Sequence, residues 1–103
     1  MDKIFMLARL SDCYGALLTE RQRQIVAQYA DENCSLAEIA EREGISRQGV
    51  RDILRRAEQQ LLAYELALGL ADKTERQRRL AEELLRKAPD LAADIEALQD
   101  IWS

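Results

Sequence analysis

Apolar residues recur at intervals of three and four along most of the chain, which is the period of helices that bury one face. At the start of the chain, for example, Leu7, Leu10, Tyr14 and Leu17 follow this spacing. The same spacing, and the breaks between such segments, predict six helices, over about residues 3–17, 20–30, 36–43, 47–68, 73–87 and 90–101. We therefore expect an all-α fold.

Polar residues at the expected helix starts support these boundaries. Thr19 and Ser35 each stand three residues before a Gln or Glu, an arrangement in which the two residues cap each other's backbone N–H groups. Asp72 opens a similar acidic pattern at the expected start of the fifth helix, and Ser46 is a simple N-cap. Gly44 suits the left-handed backbone that ends a helix.

The third and fourth predicted helices, with the short turn between them, have the spacing of a helix-turn-helix. Ala40 is small where the two helices cross, and Gly44 lies at the turn. Ile45 fills the space beneath the turn, while Val50 and Ile53 face the first helix of the motif. With the two capping serines, the structural residues of the motif are Ser35, Ala40, Gly44, Ile45, Ser46, Val50 and Ile53.

The length of 103 residues is typical of one domain, so we expect a single helical domain over residues 1–103. Its helix-turn-helix core covers about residues 18–60, and a C-terminal helical extension over about 72–103 forms a hairpin. The long fourth, or recognition, helix carries a coiled-coil-like apolar stripe. From about Leu61 onward this stripe must pack against the first helix, the C-terminal hairpin or a second protomer. We expect a homodimer.

Charge sets residues 46–56 apart from the rest of the chain. The formal net charge is -4, whereas four arginines and one aspartate give this segment +3. Three of the arginines step by four along one helix face, and arginine forks well onto guanine or phosphate, while glutamine reads adenine. We define the arginine face as the outer positions of the helix when Val50, Ile53, Leu54 and Ala57 face inward, namely Arg47, Gln48, Arg51, Asp52 and Arg55. It predicts nucleic-acid binding, with DNA as the expected partner.

Two features favour other interpretations of the arginine face. A solvated basic surface, with Asp52 paired to a neighbouring arginine, explains the same residues, although like charges at i and i+4 cost ~0.2–0.5 kcal/mol each. Glu38, Glu41 and Glu43, on the first helix of the motif, would repel the phosphate backbone. We expect weak and strongly salt-dependent DNA binding by a monomer. The alternative is a protein- or RNA-interaction module without sequence-specific DNA binding.

A second basic cluster, Arg76, Arg78 and Arg79, lies in the predicted fifth helix. Several glutamates lie three or four residues away, so we interpret this cluster as a solvated, internally paired face. In a dimer that placed it beside the recognition helices, it would extend the positive surface.

Little in the sequence indicates catalysis, a cofactor, a metal site or a membrane segment. The chain has no His, no Gly-rich phosphate loop and no nucleophile–base set, so we expect neither an enzyme nor a cofactor. Cys13 and Cys34 alone do not suit a zinc site, and we expect both to be reduced. The chain shows no signal-peptide pattern and no apolar run near the ~20 residues that span a membrane. We therefore expect a cytoplasmic protein.

The segment "LLTERQRQIVAQYADENCSLAEIAEREGISRQGVRDILRRAEQQL" resembles the fourth conserved region of sigma-70-type sigma factors. The shared order is Leu-Thr, a charged helix, Ser-Leu-x-Glu-Ile-Ala, Gly-Ile-Ser-Arg and a reading helix. The resemblance implies that Arg47, Gln48 and Arg51 match positions that contact the upstream promoter element. Gly49 and Asp52 depart from it, since sigma factors often carry longer basic or amide side chains there.

Over most of its length the chain is more similar to the bacterial YlxM family of helix-turn-helix proteins. The shared residues are Asp12, Tyr14, Leu17, Leu18 and Thr19, then Ser-Leu-x-Glu-Ile-Ala, Ser-Arg-Gln-Gly-Val-x-Asp, and the tail Tyr64-Glu65-x-x-Leu68. The stretch after about residue 90 is less typical. Members of the family are encoded beside components of the signal recognition particle. The resemblance therefore implies a role in that pathway or in its regulation, with those components as partners.

Overall fold

The computed structural model describes residues 3–101, and within that range it holds six α-helices and no strand. Their bounds are α1 Lys3–Tyr14, α2 Glu20–Val26, α3 Leu36–Glu43, α4 Arg47–Leu68, α5 Leu70–Lys87 and α6 Ala92–Asp100. The predicted all-α fold is confirmed. Trp102, the last residue of the apolar spacing that predicts the sixth helix, lies outside the described residues.

The chain divides into two compact units after Gly69. Gly69 has φ 63°, in the left-handed region, and its N–H donates to the Glu65 carbonyl at 2.8 Å. Glycine enters this region without strain, so α4 can end and α5 can begin within one residue. The expectation of a single domain stays a prediction.

The first unit is built around α4, which packs against α1, α2 and α3. The residues that line its core are all buried: Leu7, Leu10, Tyr14, Ile25, Val26, Ile39, Val50, Leu54, Ala57 and Leu61. The Tyr14 hydroxyl donates to Glu65 Oε1 at 2.6 Å, and its ring centroid lies 5.9 Å from that of Tyr64. Helix α1 therefore covers part of the second half of the α4 stripe, whereas Leu68 is exposed.

Local capping explains why α2 and α3 begin where the sequence predicts. Thr19 Oγ1 accepts the Gln22 N–H at 3.1 Å, and Gln22 Oε1 accepts the Thr19 N–H at 3.0 Å. Ser35 and Glu38 form the same reciprocal pair. The predicted cap at Asp72 is wrong, because α5 already begins at Leu70. Asp72 lies in the first turn of α5, where a carboxylate interacts favourably with the helix dipole.

The ends of α1 and α2 deviate from regular helix. A 3-10 turn follows α1 over Gly15–Leu17, and this tighter winding takes Leu17 off the apolar stripe, so that it is exposed although the pattern predicts it inward. A π-helical turn over Ala27–Asp31 follows α2. The connection to α3 then passes through Asn33, at φ 55°, a left-handed conformation that Asn tolerates better than most residues.

The second unit is a helical hairpin of α5, a 3-10 turn over Pro89–Leu91 and α6. Its buried apolar residues are Ala71, Ala81 and Ile95. The leucines whose spacing predicts these two helices, Leu80, Leu84, Leu91 and Leu98, are all exposed. Two helices offer each other one narrow contact face, and here it is taken by small side chains and one isoleucine.

The helices and the two cysteines bear on the membrane and redox surroundings expected from the sequence. Within residues 3–101, no helix is both long and apolar enough to cross a membrane. Cys13 and Cys34 are both free thiols. Burial raises the pKa of the Cys13 thiol, and the nearby carboxylates of Glu65 and Asp12 raise it further.

Candidate nucleic-acid interface

The turn between α3 and α4 has the backbone geometry that a helix-turn-helix requires. Gly44 ends α3 at φ 68° and its N–H bonds the Ala40 carbonyl, which also accepts the Ile45 N–H at 3.1 Å. Ser46 then caps α4, because its Oγ accepts the Gly49 N–H at 3.0 Å. These bonds define the start of α4 and hence the direction in which its first turns project.

Close packing under the turn holds α4 in place. Ile39 and Val50 are fully buried, Ala40 is nearly so, and Ile53 is half-buried. A methyl group added to Gly49 would lie 3.3 Å from Ser46 Oγ and 3.6 Å from the Ile45 side chain. The α4 side chains that point away from this contact therefore stand on a rigid support.

The arginine face lies along the first half of α4, and Asp52 organises part of it. Asp52 Oδ1 accepts from Gln48 Nε2 at 3.0 Å and from Arg55 Nη2 at 2.9 Å. The structure thus brings three of the five predicted residues into one exposed cluster. The predicted pairing of Asp52 with a neighbouring arginine is confirmed for Arg55.

Arg47 and Arg51 behave differently from Arg55. Both are exposed, and neither side chain makes a hydrogen bond or ion pair with any of the residues 3–101. They stand one turn apart with like charges, an arrangement that costs a helix ~0.2–0.5 kcal/mol. Each offers a whole fork of N–H donors to an outside acceptor such as a phosphate or a base edge.

Two of the three glutamates of α3 are engaged within the protein. Glu38 accepts the Ser35 N–H, and this hydrogen bond is the main reason that the pKa of Glu38 lies below its usual range. Glu43 is half-buried and accepts from Gln28 Nε2 at 3.1 Å. Glu41 is exposed. The carboxylates of Glu38 and Glu43 are thus held against helix ends and amides.

A cavity of about 270 Å³ opens beside the arginine face. Arg51 and Arg55 line one side of it, and Tyr29 and Lys3 line others. Lys3 Nζ lies 3.0 Å from Glu58 Oε2. No local pattern in the sequence predicts Lys3 or Tyr29 at this site, because α1 and the turn after α2 reach α4 only through the tertiary fold.

The second basic cluster, on α5, is neutralised within its own helix. Arg78 bonds both Glu75 and Glu82, and Arg79 Nε lies 3.2 Å from Glu75. Arg76 lies 3.8 Å from a carboxylate of the preceding turn. The hydrogen bond from Arg78 lowers the pKa of Glu75 to about 2. The predicted internal pairing of this cluster is confirmed.

A family model described as "Putative helix-turn-helix protein, YlxM / p13 like" matches residues 1–101 of the chain. The chain belongs to this family. A UPF0122 protein of Clostridium perfringens (strain SM101 / Type A) is 40% identical over 103 residues, covering 97% of this chain and 92% of the relative. One of Symbiobacterium thermophilum is 45% identical over 84 residues, with coverages of 82% and 78%. Both the predicted family and the helix-turn-helix fold of this YlxM / p13-like protein are confirmed.

Proposed function

We propose that this YlxM / p13-like protein is a cytoplasmic, non-enzymatic regulator that binds DNA through the arginine face. The observation that carries the proposal is the pair Arg47 and Arg51, exposed, like-charged and without a partner among the described side chains. Folding alone gains nothing from this arrangement, whereas polyanion binding relieves the repulsion and releases counterions.

The residues of the arginine face have distinct roles in this proposal. Arg47 and Gln48 lie in the first turn of α4, the part of a recognition helix that reaches base edges. Arg51 and Arg55 follow along the groove, where phosphates accept their forked donors. Asp52 holds Gln48 and Arg55 in position before binding and carries no base contact of its own.

In this proposal the protein acts in the signal recognition particle pathway or regulates it. This role is supported by the resemblance to a family that is encoded beside components of that particle. Its components are then candidate partners of the regulator.

A second candidate function is an RNA- or protein-interaction module, and the cavity beside the arginine face favours it. Tyr29, Arg51 and Arg55 line this cavity together. An aromatic ring beside guanidinium groups suits an unstacked base of single-stranded RNA. Acidic side chains of a protein would accept the same arginine forks. The exposed carboxylate of Glu41 on α3 also favours this second candidate, because it repels the phosphates of duplex DNA.

We also propose that the protein acts as a homodimer. Two copies of a recognition helix, related by two-fold symmetry, read two half-sites about 34 Å apart on a duplex. A dimer also doubles the number of phosphate contacts, and with it the counterion release that drives binding.

Fluorescence anisotropy with a labelled random-sequence duplex, at two salt concentrations, tests the DNA proposal. The wild-type protein should bind with a steep salt dependence. Arg51→Ala removes a phosphate contact, so it should weaken binding to every duplex and reduce the slope of log Kd against log salt concentration by about 1. Arg56→Ala is the matched control, since Arg56 is an exposed arginine of the same helix outside the arginine face, and it should change Kd much less.

Failure to bind any duplex in low salt contradicts the DNA proposal. A parallel titration with single-stranded RNA separates the two candidates. Tighter binding of the RNA, sensitive to Arg51→Ala and to Tyr29→Ala, supports the second one.

A further inference from the structure

The C-terminal hairpin presents a groove lined by large apolar side chains to solvent. Leu80, Leu84 and Leu98 border this groove of about 330 Å³, and Ala81 and Ile95 form its floor. Leu80 is 61% exposed and Leu98 is 57% exposed. Contiguous apolar surfaces of this kind mark interaction sites in soluble proteins.

The hairpin buries too little apolar surface to hold its shape alone. Its buried apolar side chains are Ala71, Ala81 and Ile95, two of which are only methyl groups. Units below about 40 residues usually need disulfides, metals or association with another chain to be stable. The groove therefore has a physical reason to be covered.

The two helices that form the groove carry opposite charges. Helix α5 holds six basic and four acidic residues, a net +2, whereas α6 holds three acidic residues and no basic one, a net −3. Lys73 and Arg76 line the α5 side of the groove. On α6, Asp94 follows Leu91 by three residues and precedes Leu98 by four, so it shares their face.

We propose that this groove is the interface with a second copy of the chain, with α5 of each protomer packed against α6 of its partner. Two-fold symmetry makes such an interface self-complementary. Leu80 and Leu84 then meet the partner's Leu98, and Arg76 exchanges its exposed 3.8 Å contact with Asp72 for the partner's Asp94. The two hairpins together form a four-helix arrangement that buries both leucine rows. The inference rests on the homodimer of the proposed function and names its surface.

Light scattering on the full chain, coupled to size exclusion, tests the interface. The wild-type mass should be twice the 11.8 kDa of one chain. Leu80→Glu places a carboxylate in the apolar groove and should halve the measured mass. Leu66→Glu is the matched control, because Leu66 is 91% exposed on α4, outside the groove, and it should keep the doubled mass. Circular dichroism checks that each variant remains helical.

Two results overturn the interface in this experiment. One is a wild-type protein with the mass of a single chain. The other is a dimer that Leu66→Glu dissociates and Leu80→Glu leaves intact, since the second copy would then lie on α4.

Charge exchange gives a second test that leaves the apolar residues unchanged. Arg76→Glu places two acids opposite each other across the interface, and Asp94→Arg places two bases there, so each variant alone should dimerise less than wild type. In a mixture, both contacts of the heterodimer pair opposite charges. The mixture should recover the doubled mass, and a mixture no heavier than its separate components contradicts the proposal. An ion pair within one hairpin could not be rescued by mixing.

Duplex binding, measured on the same samples, separates the interface from the proposed function. A protein that dimerises through the groove yet binds no duplex contradicts the function alone. A monomer whose duplex binding depends on Arg51 contradicts the interface and the homodimer, and it supports DNA binding through the arginine face.

Discussion

Helices α4 and α5 both carry closely spaced arginines, yet they use them in opposite ways. On α5, Arg78 and Arg79 converge on Glu75, one turn away. On α4, Arg47 and Arg51 find no acceptor among the described side chains, and the one carboxylate of the face is taken by Arg55 and Gln48. The number of arginines therefore does not mark a binding surface. What distinguishes the two helices is whether acids stand within one turn of each guanidinium.

The two helices also differ in what lies beneath them. Val50, Leu54, Ala57 and Leu61 of α4 are all buried, and three other helices pack on them. Helix α5 buries Ala71 and Ala81. A recognition surface needs its side chains held within a fraction of an ångström of their working positions. The support under α4 meets that need.

Removing arginines from each helix in turn tests whether α4 and α5 differ in nucleic-acid binding. The double variant Arg47→Ala/Arg51→Ala should lose more nucleic-acid binding than the ~1–3 kcal/mol of one base-contacting arginine, without reaching a simple sum, because the two side chains stand one turn apart. Arg78→Ala/Arg79→Ala removes the same charge from α5 and should leave Kd within about twofold, because these guanidiniums already have partners. Equal losses from the two variants, measured by anisotropy in one buffer, would show that only net charge matters.

Truncating a buried core side chain of α4 should lower the free energy of unfolding by nearly as much as the double arginine variant of this helix lowers the free energy of binding. Leu61 is fully buried, so Leu61→Ala should lower the free energy of unfolding by about 2–5 kcal/mol. Leu66→Ala, at an exposed leucine of the same helix, should change it by less than about 0.5 kcal/mol. Urea denaturation followed by circular dichroism measures both. A similar cost at the two positions would contradict the core described here.

The helix-turn-helix could be predicted from the sequence because its signals are local. Ser35 and Ser46 cap α3 and α4, and Gly44 supplies the left-handed turn, so the bounds of both helices agree with the prediction. The start of α5 could not be predicted in the same way. An acidic residue such as Asp72 is favoured both as an N-cap and within the first turn of a helix, so it does not fix where the helix begins. Leu80 has the spacing of an apolar helix face and is nevertheless exposed, because periodicity shows which residues share a face and not whether another element covers that face.

The candidate site likewise has a part that local spacing predicts and a part that only the tertiary fold assembles. The five residues of the arginine face were identified from their spacing alone, and their binding role stays a prediction. The cavity beside them was not foreseen, because Lys3 and Tyr29 approach α4 through tertiary packing.

A smaller change should sharpen the contrast by making α4 more basic. Asp52→Asn removes the carboxylate that holds Arg55 and Gln48, so duplex binding should tighten by about 0.5–1 kcal/mol at low salt, the range of an exposed ion pair. Gel shifts at two salt concentrations measure the effect, which should shrink as salt rises. Weaker binding instead would mean that Asp52 contributes more by positioning Arg55 than its removal contributes by leaving the charge of Arg55 unpaired.

The smallest expected effect concerns the pairing on α5. The pKa of Glu75 falls from 4.5 to about 2 in the folded protein, chiefly through the Arg78 hydrogen bond. A lowered pKa gives stability that is present above pH 4.5 and lost as the pH falls toward about 2. Helical signal should therefore decline over this window less in Glu75→Gln than in wild type. Glu96→Gln, at an exposed carboxylate without an ion pair among the described residues, is the control and should follow wild type.

A map of the residues that a nucleic acid touches tests whether the arginine face is the binding surface. Amide NMR spectra of the labelled full chain, titrated with duplex DNA, should show shifts concentrated on residues 44–56, the turn and the first half of α4. Signals from Arg76 to Arg79 on α5 should stay in place. Shifts that gather on α5, or an absence of shifts at low salt, would contradict the account.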